Sequence, residues 1–346
     1  MHMPNAFAKA LPLAGLLLLL VPIPAAAAPA CSGVSTGSTA QKDDAIGNAA
    51  DLSAALKRAE GGEVFLLAAG DYGALTLKKE FSSPMTIRSA NAKASACYTE
   101  LRLNGGENIV LDGLVFDYAY TEGDRNSANR FSIVQSRAIT ITNSIFDGGD
   151  NRGAGSGRGL RIKDSSAIEI GNSVFRKWCK ALTGGNSSNL TLSGNEFTDI
   201  RSDGIALGGA QRLRIEGNRL HNFRGVEGGK DRRDMVQIMR ASNQRGTNIV
   251  IRDNIFDMGA GDYAQTIWMG GVGKIAGCKN QRDWAILNNA IIQDTSPSSP
   301  GFYDREFTYY TSGRTNEYNE YRVRPGSTID RLDAGLTLTK SYPTRR

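Results

Sequence analysis

Histidine is nearly absent from this chain, with two in 346 residues, and cysteine occurs four times without a CxxC or a clustered Cys/His spacing. That pattern excludes a zinc site built on the usual ligand spacings. Aromatic residues make up only 8% and do not interleave with a basic stripe. No nucleic-acid motif occurs either, so nucleic acid is not an expected partner. Long apolar runs are missing beyond residue 30, which argues against a membrane span. The apolar run at 11–21 is itself short for a span; it follows Lys9 and precedes AAAAPA. This is the three-part pattern of a secretory signal peptide over residues 1–30, so the expected protein is secreted or periplasmic and monomeric. In an oxidising compartment the four cysteines should pair. Cys31–Cys97, tying an N-terminal cap to the first coil, and Cys179–Cys278, crossing coils, is the arrangement favoured here, although sequence leaves other pairings open.

What the chain has in quantity is a repeat. Residues 138–147 (AITITNSIFD) return in variant form from positions 108, 167, 189, 212, 248 and 283, at spacings of 30, 29, 22, 23, 36 and 35 residues. The second and fourth positions are almost always aliphatic, the alternation of a strand with one buried face. The ninth is Phe116, Phe146, Phe175, Phe197, Leu220, Phe256 and Ile291, one large apolar side chain per copy. The seventh is Asn195, Asn218, Asn254 and Asn289 in the later copies, which predicts an asparagine ladder bonded from coil to coil. A solenoid coil of fixed cross-section carrying loops of varying length explains a floor near 22 residues with irregular excess. A leucine-rich horseshoe would show its own consensus, which is missing. The fold class predicted is all-β: a single-stranded right-handed parallel β-helix over 31–300 with a short N-terminal capping helix. Residues 301–346, rich in tyrosine, form a C-terminal cap or tail.

The helical pattern at 51–59 (DLSAALKRA), followed by GGEVFLLAAGDYGALTL and PMTIRSAN, resembles the opening of pectate-lyase-like β-helix enzymes, including the chondroitinase B-like alginate lyases. The resemblance covers most of residues 50–295 and lies in fold and rung. It implies a polysaccharide-active protein. A formal net charge of +6 suits an acidic polysaccharide as partner.

Polar insertions at 118–130, 148–159 and 223–234 all leave just after the tenth repeat position, and loops gathered at one corner usually wall a groove. A second strand follows each corner. Aligning RGLRIK (158–163), KALTGG (180–185), DGIALG (203–208) and DMVQIM (234–239) on Leu160, Leu182, Ile205 and Val236 puts Arg158, Lys180, Asp203 and Asp234 in one column. Outward neighbours on the same strands are read as Arg161, Ala181, Ala206 and Gln237, with Lys163 and Met239 two steps further. Cations beside carboxylates shift one another's pKa and create separate acid and base roles.

At these residues two resemblances compete. R-S-D-G-I-A-L at 201–207 with R-D-M-V-Q-I at 233–238 is similar to the paired-aspartate elements of polygalacturonases, but Arg233 stands where the general acid belongs and no G-H-G follows. The other is to uronate-polysaccharide lyases and C5-epimerases of the same fold, which use Lys and Arg as base and acid. The D-P-H motif of bacterial alginate epimerases is absent. The reading adopted is an exported lyase cleaving an acidic, uronate-containing polysaccharide by β-elimination. An inverting glycoside hydrolase using Asp203 and Asp234, a C5-epimerase and a non-catalytic glycan-binding solenoid are the alternatives. The catalytic candidates are Lys180, Asp203, Asp234, Arg158 and His221, the last at a tenth repeat position beside the 223–234 loop. Substrate-binding candidates are Arg161, Gln237, Lys163, Lys230, Arg240 and Trp268. No metal ligand is recognisable, no cofactor is named, and calcium is left open.

Overall fold

The computed structural model describes residues 31, 44–91, 95–118, 124–125, 127–149, 155–226, 231, 233–239, 241, 246–257, 259–261, 264–269, 284–287, 290–293 and 320–323. Residues 1–30, where a signal peptide is expected, and most of 301–346 lie outside them.

Each repeat forms one coil of three strands. The first four positions lie in six-residue strands such as Arg137–Thr142, and the last three form short strands such as Ile145–Asp147. After the corner comes the third strand, as in Arg158–Lys163. Equivalent strands of successive coils pair in parallel, giving sheets of nine, ten and eight strands among the described residues, each ordered by coil. This is the expected parallel β-helix.

Side-chain columns run along its axis. Phe116, Phe146, Phe175 and Phe197 stack with ring centroids 4.6, 4.6 and 4.9 Å apart, all fully buried. The asparagine ladder is present and longer than its asparagines. The N–H groups of Leu114 and Ser144 donate to Ser144 Oγ and Ser173 Oγ (3.2 and 3.1 Å). Those of Ser173, Asn195 and Asn218 donate to Asn195, Asn218 and Asn254 Oδ1 (3.0, 2.9 and 2.9 Å). A serine ladder that the repeat alignment did not single out lines another corner, where Gly106, Ser136 and Ser165 N–H donate to Ser136, Ser165 and Ser187 Oγ (3.2, 3.2 and 3.1 Å). Both ladders satisfy backbone donors that water cannot reach.

The capping helix α1 (Ala49–Arg58) begins two residues earlier than its pattern, because Asn48 acts as N-cap and accepts from Asp51 N–H at 2.9 Å. Leu52 and Leu56 face the first coil, closing the apolar interior. Lys79 Nζ closes the helix's other end, donating to the Leu56, Lys57 and Ala59 carbonyls. The Cys31–Cys97 disulfide is formed. Cys179 carries a free thiol, and its expected partner Cys278 lies outside the described residues.

Candidate functional site

The third sheet starts each coil beside the corner loops, and its register decides the column. Arg158 aligns with Lys180, and Leu182, Ile205 and Val236 align in turn, carrying Asp203 and Asp234 to the same level two residues ahead. Asn129 precedes Arg158 and Gln265 follows Asp234. The strand starts irregularly: consecutive N–H groups of Ala181 and Leu182 donate to consecutive carbonyls, Asp203 and Gly204, at 3.0 and 2.8 Å. Consecutive donors on one strand mark a departure from strict alternation at the strand start, ahead of the core anchors.

The column is paired within itself. Lys180 Nζ donates to Asp203 Oδ2, and Ser202 Oγ lies 3.4 Å from the other carboxylate oxygen. Asp203 is 1% exposed while the Lys180 side chain is 32% exposed, so one partner is buried and the other reaches the groove. One coil on, Asp234 is 2% exposed and accepts from Gln237 Nε2 at 2.6 Å.

A second row runs beside the column: Ser132, Arg161, Thr183, Ala206, Gln237 and Trp268. Thr183 takes the place assigned to Ala181 from sequence. Ala181 precedes the core anchor Leu182 and is fully buried, whereas Thr183 follows it and shares Arg161's level. Further out, Lys163 is followed by Gly185, Gly208 and Met239. The groove floor is therefore small in the middle, cationic at one end, and formed by an amide, a thioether and an indole at the other. Lys163 also pairs with Asp164 at 3.1 Å.

The described residues of the corner segments are held by side-chain contacts. Arg201 grips Asp231 with two contacts, 2.9 and 3.3 Å, while Val226 N–H donates to the same carboxylate at 3.3 Å. Burial works against the Asp231 charge, but these bonds outweigh it and hold the carboxyl below its ordinary range. Sequence reading passes over Arg201, which shows no column or repeat signature. Next to Lys180, burial pushes the Cys179 thiol up. In the first loop Arg130 packs over the Tyr118 ring, 4.2 Å from its centroid, and donates to its hydroxyl at 2.6 Å. Trp178 folds inward beneath the second, its Nε1 donating to Phe146 O at 3.0 Å.

His221 is placed apart from the column. It ends a strand of the second sheet, 8% exposed, with Nε2 2.7 Å from Glu196 Oε1. That contact holds Glu196 below its ordinary range. Lys230 and Arg240 lie outside the described residues. Among the described residues the cluster of metal-capable side chains is Cys31, Cys97 and Asp117, and its two sulfurs are joined to each other. No calcium-type cluster of carboxylates accompanies the column among the described residues.

Three parallel sheets ordered by coil, with side-chain ladders along the axis, define the right-handed parallel β-helix class. Residues 129–296 match the family model described as a right handed beta helix region. None of the curated proteins compared matches the chain. Among solved structures it is similar to a pectate lyase of a Bacillus species in complex with trigalacturonate, with a TM-score of 0.51 and 12% identity over 76% of this chain and 86% of that one. It is also similar to PfbA, a surface adhesin of Streptococcus pneumoniae (TM-score 0.49, 14% identity, 80% and 77% covered). An alginate lyase of a Paenibacillus species gives 0.43, 14%, 83% and 96%. At these identities the likeness is one of fold. The resemblance to pectate-lyase-like β-helix proteins is met at that level.

Proposed function

We propose that the protein cleaves an acidic, uronate-containing polysaccharide by β-elimination in the groove of the third sheet. The observation that carries this reading is the column in which Lys180, its ammonium on the buried carboxylate of Asp203, stands between Arg158 and Asp234. Elimination at a uronate needs a cation to neutralise the sugar carboxylate, a base for the C5 proton and a donor toward the departing C4 oxygen. Arg161 holds the carboxylate. Lys180, held in place by Asp203, is the base that takes the C5 proton, and the hydroxide left when water protonates the leaving oxygen takes that proton back. Arg158 hydrogen-bonds the leaving oxygen, which acquires its proton from water. Gln237, fixed by Asp234, orients the sugar. His221 is left out because Glu196 engages it on the neighbouring sheet.

Hydrolysis is the second reading, because two buried carboxylates, Asp203 and Asp234, fall on adjacent coils. Incubating the mature protein with a panel of acidic polysaccharides, with and without calcium, separates the two. The double bond left by elimination absorbs in the ultraviolet, so rising absorbance with shortening polymer is the expected result. Shortening without absorbance moves the chemistry to the two aspartates. A change in sugar composition without shortening indicates an epimerase, and binding without any change a glycan-binding solenoid.

A further inference from the structure

Asp117, Asp147 and Asp257 close the short strands of the second sheet at the same place in their coils, and all three are buried. Two of them meet a guanidinium. Arg176 Nε donates to Asp147 Oδ2 at 2.6 Å, and Arg219 Nη2 lies 3.5 Å from Asp257 Oδ2. Among the described residues no side-chain cation stands at such a distance from Asp117, whose Oδ2 accepts instead from the backbone N–H of Cys31 at 2.7 Å. Asp147 is its partner in register, so two buried carboxylates lie side by side with one guanidinium bonded to the pair. Burial pushes the Asp117 carboxyl up; the Cys31 N–H opposes that, Asp147 adds to it, and Arg176 and Lys177 draw it down. A single amide dipole compensates a buried carboxylate less well than a full positive charge does.

Ala28-Pro29-Ala30 is the small-x-small pattern at which leader peptides are cut, and it ends immediately ahead of Cys31. Hydrolysis there adds water across the Ala30–Cys31 bond: Ala30 leaves as a carboxylate and Cys31 keeps its nitrogen as an α-ammonium. That nitrogen is the atom already in contact with Asp117. A cut after Ala28 would instead leave Pro29 first and the charge two residues away. The Cys31 sulfur is bonded to Cys97, on the strand that pairs with Asp117's own, so it is closed to thioether attachment of a lipid. We infer that the protein is processed between Ala30 and Cys31 and that the new α-ammonium forms a buried ion pair with Asp117. Disulfide and ion pair then hold the first residue of the mature chain from two neighbouring coils. Before processing, the same nitrogen is an uncharged amide, so cleavage completes the N-terminal lock.

The test begins with the full chain expressed with its leader in a bacterial host. N-terminal sequencing and non-reducing intact mass of the exported protein should show Cys31 as the first residue, bridged to Cys97 and free of lipid. Any other first residue, or a lipid on Cys31, overturns the inference. Pairing is read by thermal denaturation of oxidised chains released from a cleavable fusion, beginning either at Cys31 or at Ala30, each with Asp117 intact or as Asp117→Asn. Retaining Ala30 turns the ammonium into an amide. With Asp117 intact it should lower the midpoint by about 2–4 °C, the effect of one charge-assisted contact in a large domain. In Asp117→Asn it should change the midpoint little. Equal shifts in both backgrounds, or none in either, overturn the inference. Nα-acetylation of the Cys31 chain removes the charge without altering Asp117, so it covers the case in which Asp117→Asn does not fold. The midpoint should fall as it does with Ala30 retained, and an unchanged midpoint overturns the ion pair.

Discussion

In the proposed mechanism Lys180 and Asp203 serve stability and chemistry together. Replacing Lys180 by Ala strands a carboxylate that is 1% exposed, and because the lysine itself is about a third exposed, the cost is about 1–2 kcal/mol. Turnover should fall by about 10²–10⁴-fold, the usual contribution of a positioned base. Lys180→Ala combined with Asp203→Asn removes the stranded charge, so urea denaturation should show stability restored while the absorbance assay shows turnover still lost. A merely structural pair would recover both. On the neighbouring sheet, the His221 contact depresses the Glu196 pKa below 4.5, with Arg219 and Arg176 assisting and burial opposing. A depressed acid stabilises the fold fully above its unfolded value and loses that contribution as pH falls through the folded one. Glu196→Gln should therefore flatten the loss of thermal stability below pH 4.5 and leave the profile at neutral pH little changed in slope. Thermal scans across acid pH would show it.

At the scale of the element, the two ladders do for the turns what the strands do for themselves. Asn218 accepts from Asn195 N–H at 2.9 Å and donates from Nδ2 to Leu192 O at 2.9 Å. Asn218→Ala leaves both groups buried and unpaired, at a cost of about 2–3 kcal/mol measured by denaturation. The asparagine ladder is legible in sequence because an amide that recurs at one place in a stacked repeat finds its donors and acceptors on the neighbouring copies. Its extension through Ser144 and Ser173, and the whole serine ladder, is not, because serine is common in any turn. The same contrast holds in the groove. Core anchors Leu160, Leu182, Ile205 and Val236 are readable from alternation, and the column follows from them. Thr183, not Ala181, follows the anchor Leu182 and so holds the level of Arg161, Ala206 and Gln237. Arg201 escapes because its role depends on Asp231, thirty residues on in a loop.

For the molecule as a whole, a solenoid in which each coil touches only its neighbours is weakest at its ends. The Cys31–Cys97 bridge joins residues 66 apart and ties the N-terminal segment to the first coils. Cys31→Ser with Cys97→Ser should lower stability by about 2–4 kcal/mol, read as a lower thermal midpoint in the absence of reductant. The repeat, the strand order and the capping helix are all visible in sequence, because one-dimensional architecture writes its geometry into spacing. The tyrosine-rich segment at the other end is readable as a cap or tail, but the sheet it joins is not, because that segment carries no copy of the repeat.

That later segment is the strand Glu320–Val323, which pairs in parallel with Ala290–Gln293 and adds one more member to the second sheet. A bare coil edge offers a row of donors and acceptors in the register another copy of the same coil would need, the condition for head-to-tail filament growth. The strand covers that edge of the second sheet and leaves in its place an edge only four residues long, a short ladder of the kind that discourages pairing with another copy.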